Sequence, residues 1–195
     1  FEIHKRAQVL GMITRHSKGL CVAGTHGKTT TSTMLAHLLQ QSHVGCTAFL
    51  GGISKNYHTN LLLSSESPYT VIEADEFDRS FHWLSPWMSA ITATDPDHLD
   101  IYGTKEAYLE SFRHYSSLIQ PGGALLLHTG LEMQPDVQEG VRIYTYSRHE
   151  GDFHRKRRNL YGLYSPQHSH LQYTVRCARK YQYRQWNSSH GPGTS

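Results

Sequence analysis

The 195-residue chain is poor in cysteine, has no long apolar run and carries no acidic residue over positions 155–195. Its three cysteines, Cys21, Cys46 and Cys177, are odd in number, widely spaced and in no CxxC pair. That excludes a disulfide framework and a thiolate metal centre, and predicts reduced thiols, with Cys21 and Cys46 in the core. No apolar stretch approaches the ~18 to 20 residues of a membrane helix, and no basic-plus-apolar leader opens the chain, so a cytoplasmic protein with no membrane partner is expected. The 15 histidines include no HExxH motif and one HxH pair, His168 and His170, which favours scattered surface histidine over metal storage. The net charge of +3 hides a split. Residues 155–195 hold eight Lys/Arg, and the body, residues 1–154, holds eleven against sixteen Asp/Glu, a net of −5. A chain of this length accommodates one α/β domain with an appendage, and no second full domain.

Apolar spacing supplies the elements. Ile3, Ala7, Leu10 and Ile13 predict an amphipathic helix over 3–16, with Gly11 a weak point in it. The run G-L-C-V-A, Gly19 to Ala23, reads as a strand, and Met34, Leu35, Leu38 and Leu39 mark a helix to about Gln41. Two further buried strands, Tyr69 to Ile72 and Met88 to Thr94, each lead into carboxylates: E-A-D-E-F-D and D-P-D-H-L-D. A helix over 104–119, patterned by Ala107, Leu109, Phe112, Leu118 and Ile119, stops at Pro121-Gly122-Gly123, and strands follow at 124–127 and 141–146. Strands alternating with helices predict an α/β fold: a mostly parallel, doubly wound sheet of P-loop type with flanking helices, whose ligands bind beyond the strands' carboxyl ends.

The chemistry concentrates at those ends. In V-A-G-T-H-G-K-T-T-T, Val22 to Thr31, a glycine-rich turn joins strand to helix. Such a turn aims backbone N–H groups and the positive helix end at a phosphate; Lys28 then reaches the terminal phosphates, and the Thr29 hydroxyl reaches Mg²⁺. Gly24, Thr25, His26, Gly27, Lys28, Thr29 and Thr30 are therefore the candidate nucleotide-binding residues. The spacing departs from GxxxxGK[ST], because only two residues separate Gly24 from Gly27. Read alone, this is a glycine-rich turn that starts a helix, and the acidic run is a solvated loop. Together, Glu73, Asp75, Glu76 and Asp78 form a candidate Mg²⁺ site beside the phosphates, and Asp95, Asp97, His98 and Asp100 offer a second.

Three ordered stretches, G-T-H-G-K-T-T-T (Gly24 to Thr31), V-I-E-A-D-E-F-D-R-S-F (Val71 to Phe81) and D-H-L-D-I-Y (Asp97 to Tyr102), resemble the central ATP-binding domain of the Mur ligase family over about residues 1 to 154. The loop histidine and the E-A-D-E run are most similar to the member that joins L-alanine to UDP-N-acetylmuramate. The resemblance implies an ATP-dependent ligase of peptidoglycan precursor synthesis. ATP phosphorylates the muramate carboxylate, the amino group of L-alanine attacks the acyl phosphate, and phosphate leaves. It also implies catalytic roles for Lys28, Glu73 and His98, with Lys28 on the β- and γ-phosphates, Thr29 and Glu73 on one Mg²⁺, and His98 on a second. Two cations and a lysine would offset the charge that builds on the transferring phosphoryl group. Ala93 stands where many relatives carry Asn.

The family pattern breaks after His154. From R-K-R-R-N-L-Y-G-L-Y onward the chain is basic, tyrosine-rich and aperiodic. A nucleic-acid arm is one reading. A frame change is favoured over it: with suitable codons, residues 155–195 read one nucleotide later give G-V-P-V-N-I-N-I-D-N-G-I-A-A-M-A-L-A, which is similar to the family's adenine-contact helix. The expectation is a body at 1–154 and an out-of-frame, disordered tail at 155–195. On that reading the chain is a fragment that binds Mg-ATP but has little or no ligase activity, because the domains for UDP-N-acetylmuramate and L-alanine are missing. The alternatives are a sister ligase, of murein tripeptide recycling or folylpolyglutamate synthesis, and a nucleotide-dependent nucleic-acid-binding module.

Overall fold

The computed structural model describes residues 2–154; the basic tail, with its expected disorder and Cys177, lies outside the described residues. The elements in chain order are α1 (Arg6–His16), β1 (Lys18–Ala23), α2 (Lys28–Gln40), β2 (Thr47–Ser54), β3 (Thr59–Leu62), β4 (Tyr69–Glu73), a 3-10 segment (Phe77–Trp83), β5 (Met88–Ile91), α3 (Leu99–Tyr102), α4 (Lys105–Ser117), β6 (Ala124–His128) and β7 (Arg142–Tyr146). The seven strands form one sheet in the order β3-β2-β4-β1-β5-β6-β7. Every pairing is parallel except β2 with β3, an antiparallel hairpin at one edge. The central strand β1 pairs with β4 on one side and β5 on the other, so the loops after all three open at the same end of the sheet.

Two apolar layers cover the sheet, set by the alternation of side chains along each strand. Leu20 and Val71 point to the α2 side, where Ala36, Cys46, Ala48 and Leu50 pack. Cys21 and Ile72 point to the other side, among Leu10, Phe81, Tyr108, Phe112 and Tyr115. Burial of such a large side chain contributes roughly 1.5–3 kcal/mol. Phe81 stacks on Tyr115 with ring centroids 4.6 Å apart, and the Tyr115 hydroxyl reaches Ser89 Oγ at 2.8 Å. Burial pushes the Cys21 thiol up to about 12, so it is an inert core group. Both Cys21 and Cys46 are free and buried, as the sequence predicts.

Several boundaries differ from the sequence reading. The first helix begins at Arg6, because Lys5 is extended and its backbone N–H is taken by the Gln8 side chain. Strand β5 stops at Ile91, where the chain turns over the phosphate loop. The hydrophobic stripe of α4 is Tyr108, Phe112, Tyr115, at i, i+4, i+7, with Ala107 and Leu109 only half-buried. The hairpin β2-β3 had no sequence expectation at all. No helix among the described residues is long and apolar enough to cross a membrane.

Candidate functional site

The turn between β1 and α2 is held in an open curve by two glycines, Gly24 at φ +126° and Gly27 at φ +83°, backbone angles that side-chain-bearing residues rarely adopt. Gly27 is the residue before α2, so the first N–H groups of that helix face the turn. The neighbouring β5 loop grips the turn from the side. Thr25 N donates to Ala93 O at 3.0 Å, Thr25 Oγ1 donates to Asp95 O at 2.8 Å, and the single Thr92 Oγ1–H is shared between the carbonyls of Ala23 and His26. Position 93 thus serves through its backbone. From α4, the Tyr108 hydroxyl reaches Thr25 Oγ1 at 2.9 Å. Burial pushes the Tyr108 phenol well above its usual range, so it stays a neutral hydrogen-bonding group.

The acidic run after β4 does not form one cluster. Glu73 accepts from Thr29 Oγ1 at 3.0 Å through Oε1, and from Gly51 N at 3.1 Å through Oε2. Glu76 turns inward: its side chain is 1% exposed, and its carboxylate oxygens lie 2.8 and 2.7 Å from Lys28 Nζ. The Oε2 contact is a charge contact without an aligned hydrogen bond. Lys28 Nζ also donates to Gly24 O at 2.9 Å. Asp75 is used locally, accepting from Phe77 N, and Asp78 faces the exposed Lys5 at 3.7 Å. The inward turn of Glu76 is fixed by Tyr102, whose hydroxyl donates to the Glu76 carbonyl at 2.5 Å.

His98 precedes α3 in the left-handed region, at φ 54° and ψ 37°. Its ring lies 3.8 Å from Asp97 Oδ2 and edge-on to Phe77, with centroids 5.3 Å apart. Among the described residues no three His, Cys, Asp or Glu side chains converge as a ready metal cage. Thr30 and His26 are exposed at the lip of the turn. Beside it a cleft of ≈ 350 Å³ runs between the loops after β5 and β6, lined by residues that include Thr92, Asp95, Lys105 and Glu132.

The structure therefore joins Gly24 to Thr30 with Glu73 and Glu76, and sets His98 on a neighbouring loop. Sequence reasoning missed Tyr108, Thr92 and Gly51. Tyr108 was findable from the helical spacing of the aromatic residues on α4; the other two act through contacts 22 or more residues away and leave no local signal.

The Mur ligase middle domain, as a family, matches residues 22–180 of the chain. The chain belongs to the Mur ligase family. It is 80% identical over 154 residues to the UDP-N-acetylmuramate–L-alanine ligase of Phocaeicola vulgatus, a match covering 79% of this chain and 34% of that one. Among solved structures it resembles the UDP-N-acetylmuramate-alanine ligase of Thermotoga maritima, with a TM-score of 0.61 and 28% identity over 76% of this chain and 32% of that one. It also resembles the UDP-N-acetylmuramate:L-alanyl-gamma-D-glutamyl-meso-diaminopimelate ligase of Neisseria, with a TM-score of 0.64 and 25% identity over 72% of this chain and 49% of that one. The chain thus spans about a third of the length of the Phocaeicola ligase. The sheet and its flanking helices are the Mur ligase central-domain fold.

Proposed function

We propose that residues 1–154 are the ATP-binding domain of a ligase that joins L-alanine to UDP-N-acetylmuramate in the cytoplasm. The observation that carries this reading is the meeting of Thr29 with Glu73 beside Lys28, which places a hydroxyl, a carboxylate and an ammonium around one glycine turn. In the reaction implied by the family, ATP transfers its terminal phosphoryl group to a carboxylate with release of ADP, and an amine then attacks the acyl phosphate, forming the amide and expelling phosphate. This chain's share is to hold the nucleotide. The N–H groups at the start of α2 and the Lys28 ammonium bind the β- and γ-phosphates, and the loop residues Gly24, Thr25, His26, Gly27 and Thr30 shape the cradle.

The Thr29 and Glu73 oxygens fit Mg²⁺: they are hard donors, reachable from the phosphate side, and already 3.0 Å apart. Thr29 and Glu73 would hold that ion, which supplies charge neutralisation on the phosphates. His98, with its side chain 34% exposed on the adjoining loop, is the proposed ligand of a second ion. UDP-N-acetylmuramate and L-alanine are the proposed partners, and their binding draws on parts of the longer relatives that this chain does not match.

An identity of 80% to the L-alanine ligase, against 25% to the tripeptide ligase, favours the L-alanine reading over its sister. The alignment with the Phocaeicola protein has the length of the 1–154 body, which supports that boundary, although the family match runs on to residue 180. The test is calorimetric titration of the full chain with Mg-ADP. Wild type should bind and Lys28→Ala should lose the signal; equal binding by both would refute the reading. The nucleic-acid alternative predicts salt-sensitive DNA or RNA affinity that disappears when the chain is cut after His154.

A further inference from the structure

The phosphate-loop lysine is not free to act as an isolated cation. Its side chain is only 14% exposed, and both oxygens of Glu76 lie within 2.8 Å of its ammonium nitrogen. No other cation faces this carboxylate among the described residues, and the carboxylate is sealed from water at 1% exposure. Glu76 is also rigidly placed. Its carbonyl is held by Tyr102, Phe81 N returns to Asp75 O, and Arg79 N returns to Glu76 O at 3.0 Å. The next two residues after Phe77, Asp78 and Arg79, sit in the left-handed region, which turns the chain back into the core and keeps the Glu76 side chain aimed at the loop.

The charge balance has a direct consequence. Lys28 brings one positive charge to the turn, while Glu73 and Glu76 bring two negative charges within hydrogen-bond reach of Lys28 and Thr29. A phosphate oxygen that contacts the same ammonium would lie roughly 4–5 Å from the Glu76 carboxylate, given hydrogen bonds of about 2.8 Å to a shared donor. At that separation, with the Glu76 carboxylate itself sealed from water, like charges repel appreciably. A metal-free nucleotide meets a net negative turn; a Mg²⁺-bound nucleotide brings the missing positive charge with it.

We infer that Glu76 is a specificity-determining residue that makes the loop discriminate against metal-free nucleotide, by neutralising Lys28 until the nucleotide arrives with its cation. The inference rests on the proposed nucleotide site and adds the repulsion of the Glu76 charge to the preference for Mg²⁺-bound nucleotide that Thr29 and Glu73, as ligands of the cation, would already give. It acts through Lys28, so it is a positioning role, and it does not require Glu76 to touch either the nucleotide or the metal.

The test compares ADP affinity with Mg²⁺ and with EDTA, by calorimetry on the full chain, for wild type, Glu76→Gln and Glu76→Asp. Gln keeps the size and an oxygen acceptor for Lys28 but removes the charge; Asp keeps the charge. The expected result is that Glu76→Gln binds metal-free ADP roughly tenfold tighter or more, shrinking the Mg-ADP to ADP affinity ratio by the same factor, while Glu76→Asp retains the wild-type ratio. A merely structural role would move both affinities together and leave the ratio unchanged, and that outcome overturns the inference. So does an equal loss of selectivity in the Asp variant. If wild type binds no nucleotide in either condition, the nucleotide reading itself fails and this inference with it. Thermal unfolding of each variant, without ligand, separates a misfolded protein from a folded one with altered selectivity.

Discussion

The Thr29 hydroxyl donates to Glu73 Oε1 at 3.0 Å, a side-chain bond that ties the first turn of α2 to the end of β4 across 44 residues. Removing the hydroxyl with Thr29→Val keeps the shape and leaves Glu73, among the described residues, with only the Gly51 N–H. The Mg²⁺ concentration that half-saturates binding at fixed ADP should then rise roughly tenfold, equivalent to ~1.4 kcal/mol. Metal-free ADP affinity should change little. A magnesium titration of the variant checks both, and an unchanged midpoint would remove Thr29 from the metal's surroundings.

Tyr108 links the aromatic core to the phosphate turn through Thr25. Tyr108→Phe removes one hydrogen bond while keeping the ring in its buried packing against Tyr102 and Phe112. Thr25 keeps its bond to Asp95 O, so the fold should lose only about 1 kcal/mol. Nucleotide affinity should fall several-fold because the turn is held from one side fewer. Parallel urea melts and ADP titrations distinguish this from a core defect, in which stability would fall and affinity would not.

The contrast between these two residues explains what the sequence discloses. Lys28, Thr29 and Glu73 are legible because a glycine turn before a helix, and carboxylates after a buried strand, are local patterns. The partition of the acidic run is not legible. Glu73, Asp75, Glu76 and Asp78 read as one cluster, yet the left-handed turn at Asp78 and Arg79 and the Tyr102 contact send Glu76 inward and Asp78 out to Lys5. The inner strands β1, β4, β5 and β6 were readable as apolar runs because both faces of the sheet are covered there. The hairpin β2-β3 was not, since two glycines interrupt T-A-F-L-G-G-I-S and the outer strand keeps Leu61 40% exposed at the sheet edge.

Burial holds His82 below its usual value of 6.5, aided by the nearby His114 and Arg79. Its Nε2 lies 3.0 Å from both the carbonyl and the hydroxyl of Ser111, tying the 3-10 segment to α4. The folded chain therefore disfavours the protonated ring. The stabilisation is fully present above pH 6.5 and declines as pH falls toward the lowered folded value, because the unfolded chain takes up the proton first. Urea midpoints at pH 7.5 and 5.5 should show a larger drop for wild type than for His82→Gln. Equal drops would assign the acid sensitivity to other groups.

Gly11 lies within α1, where replacement of glycine by alanine ordinarily stabilises a helix by about 0.5–1 kcal/mol. A Cβ at Gly11 would overlap the Trp83 carbonyl oxygen and lie 3.1 Å from its carbon. Those are backbone atoms at the end of the 3-10 segment, so no side-chain rotation relieves the overlap. The helix would have to lift from the layer formed by Leu10, Phe81 and Leu84, at an overpacking cost of about 1–3 kcal/mol that exceeds the helix gain. Gly11→Ala should therefore lower the thermal midpoint, while an alanine at the neighbouring exposed Met12 should leave it nearly unchanged. A rise in the midpoint for Gly11→Ala would mean that α1 sits further from Trp83 than the structure places it.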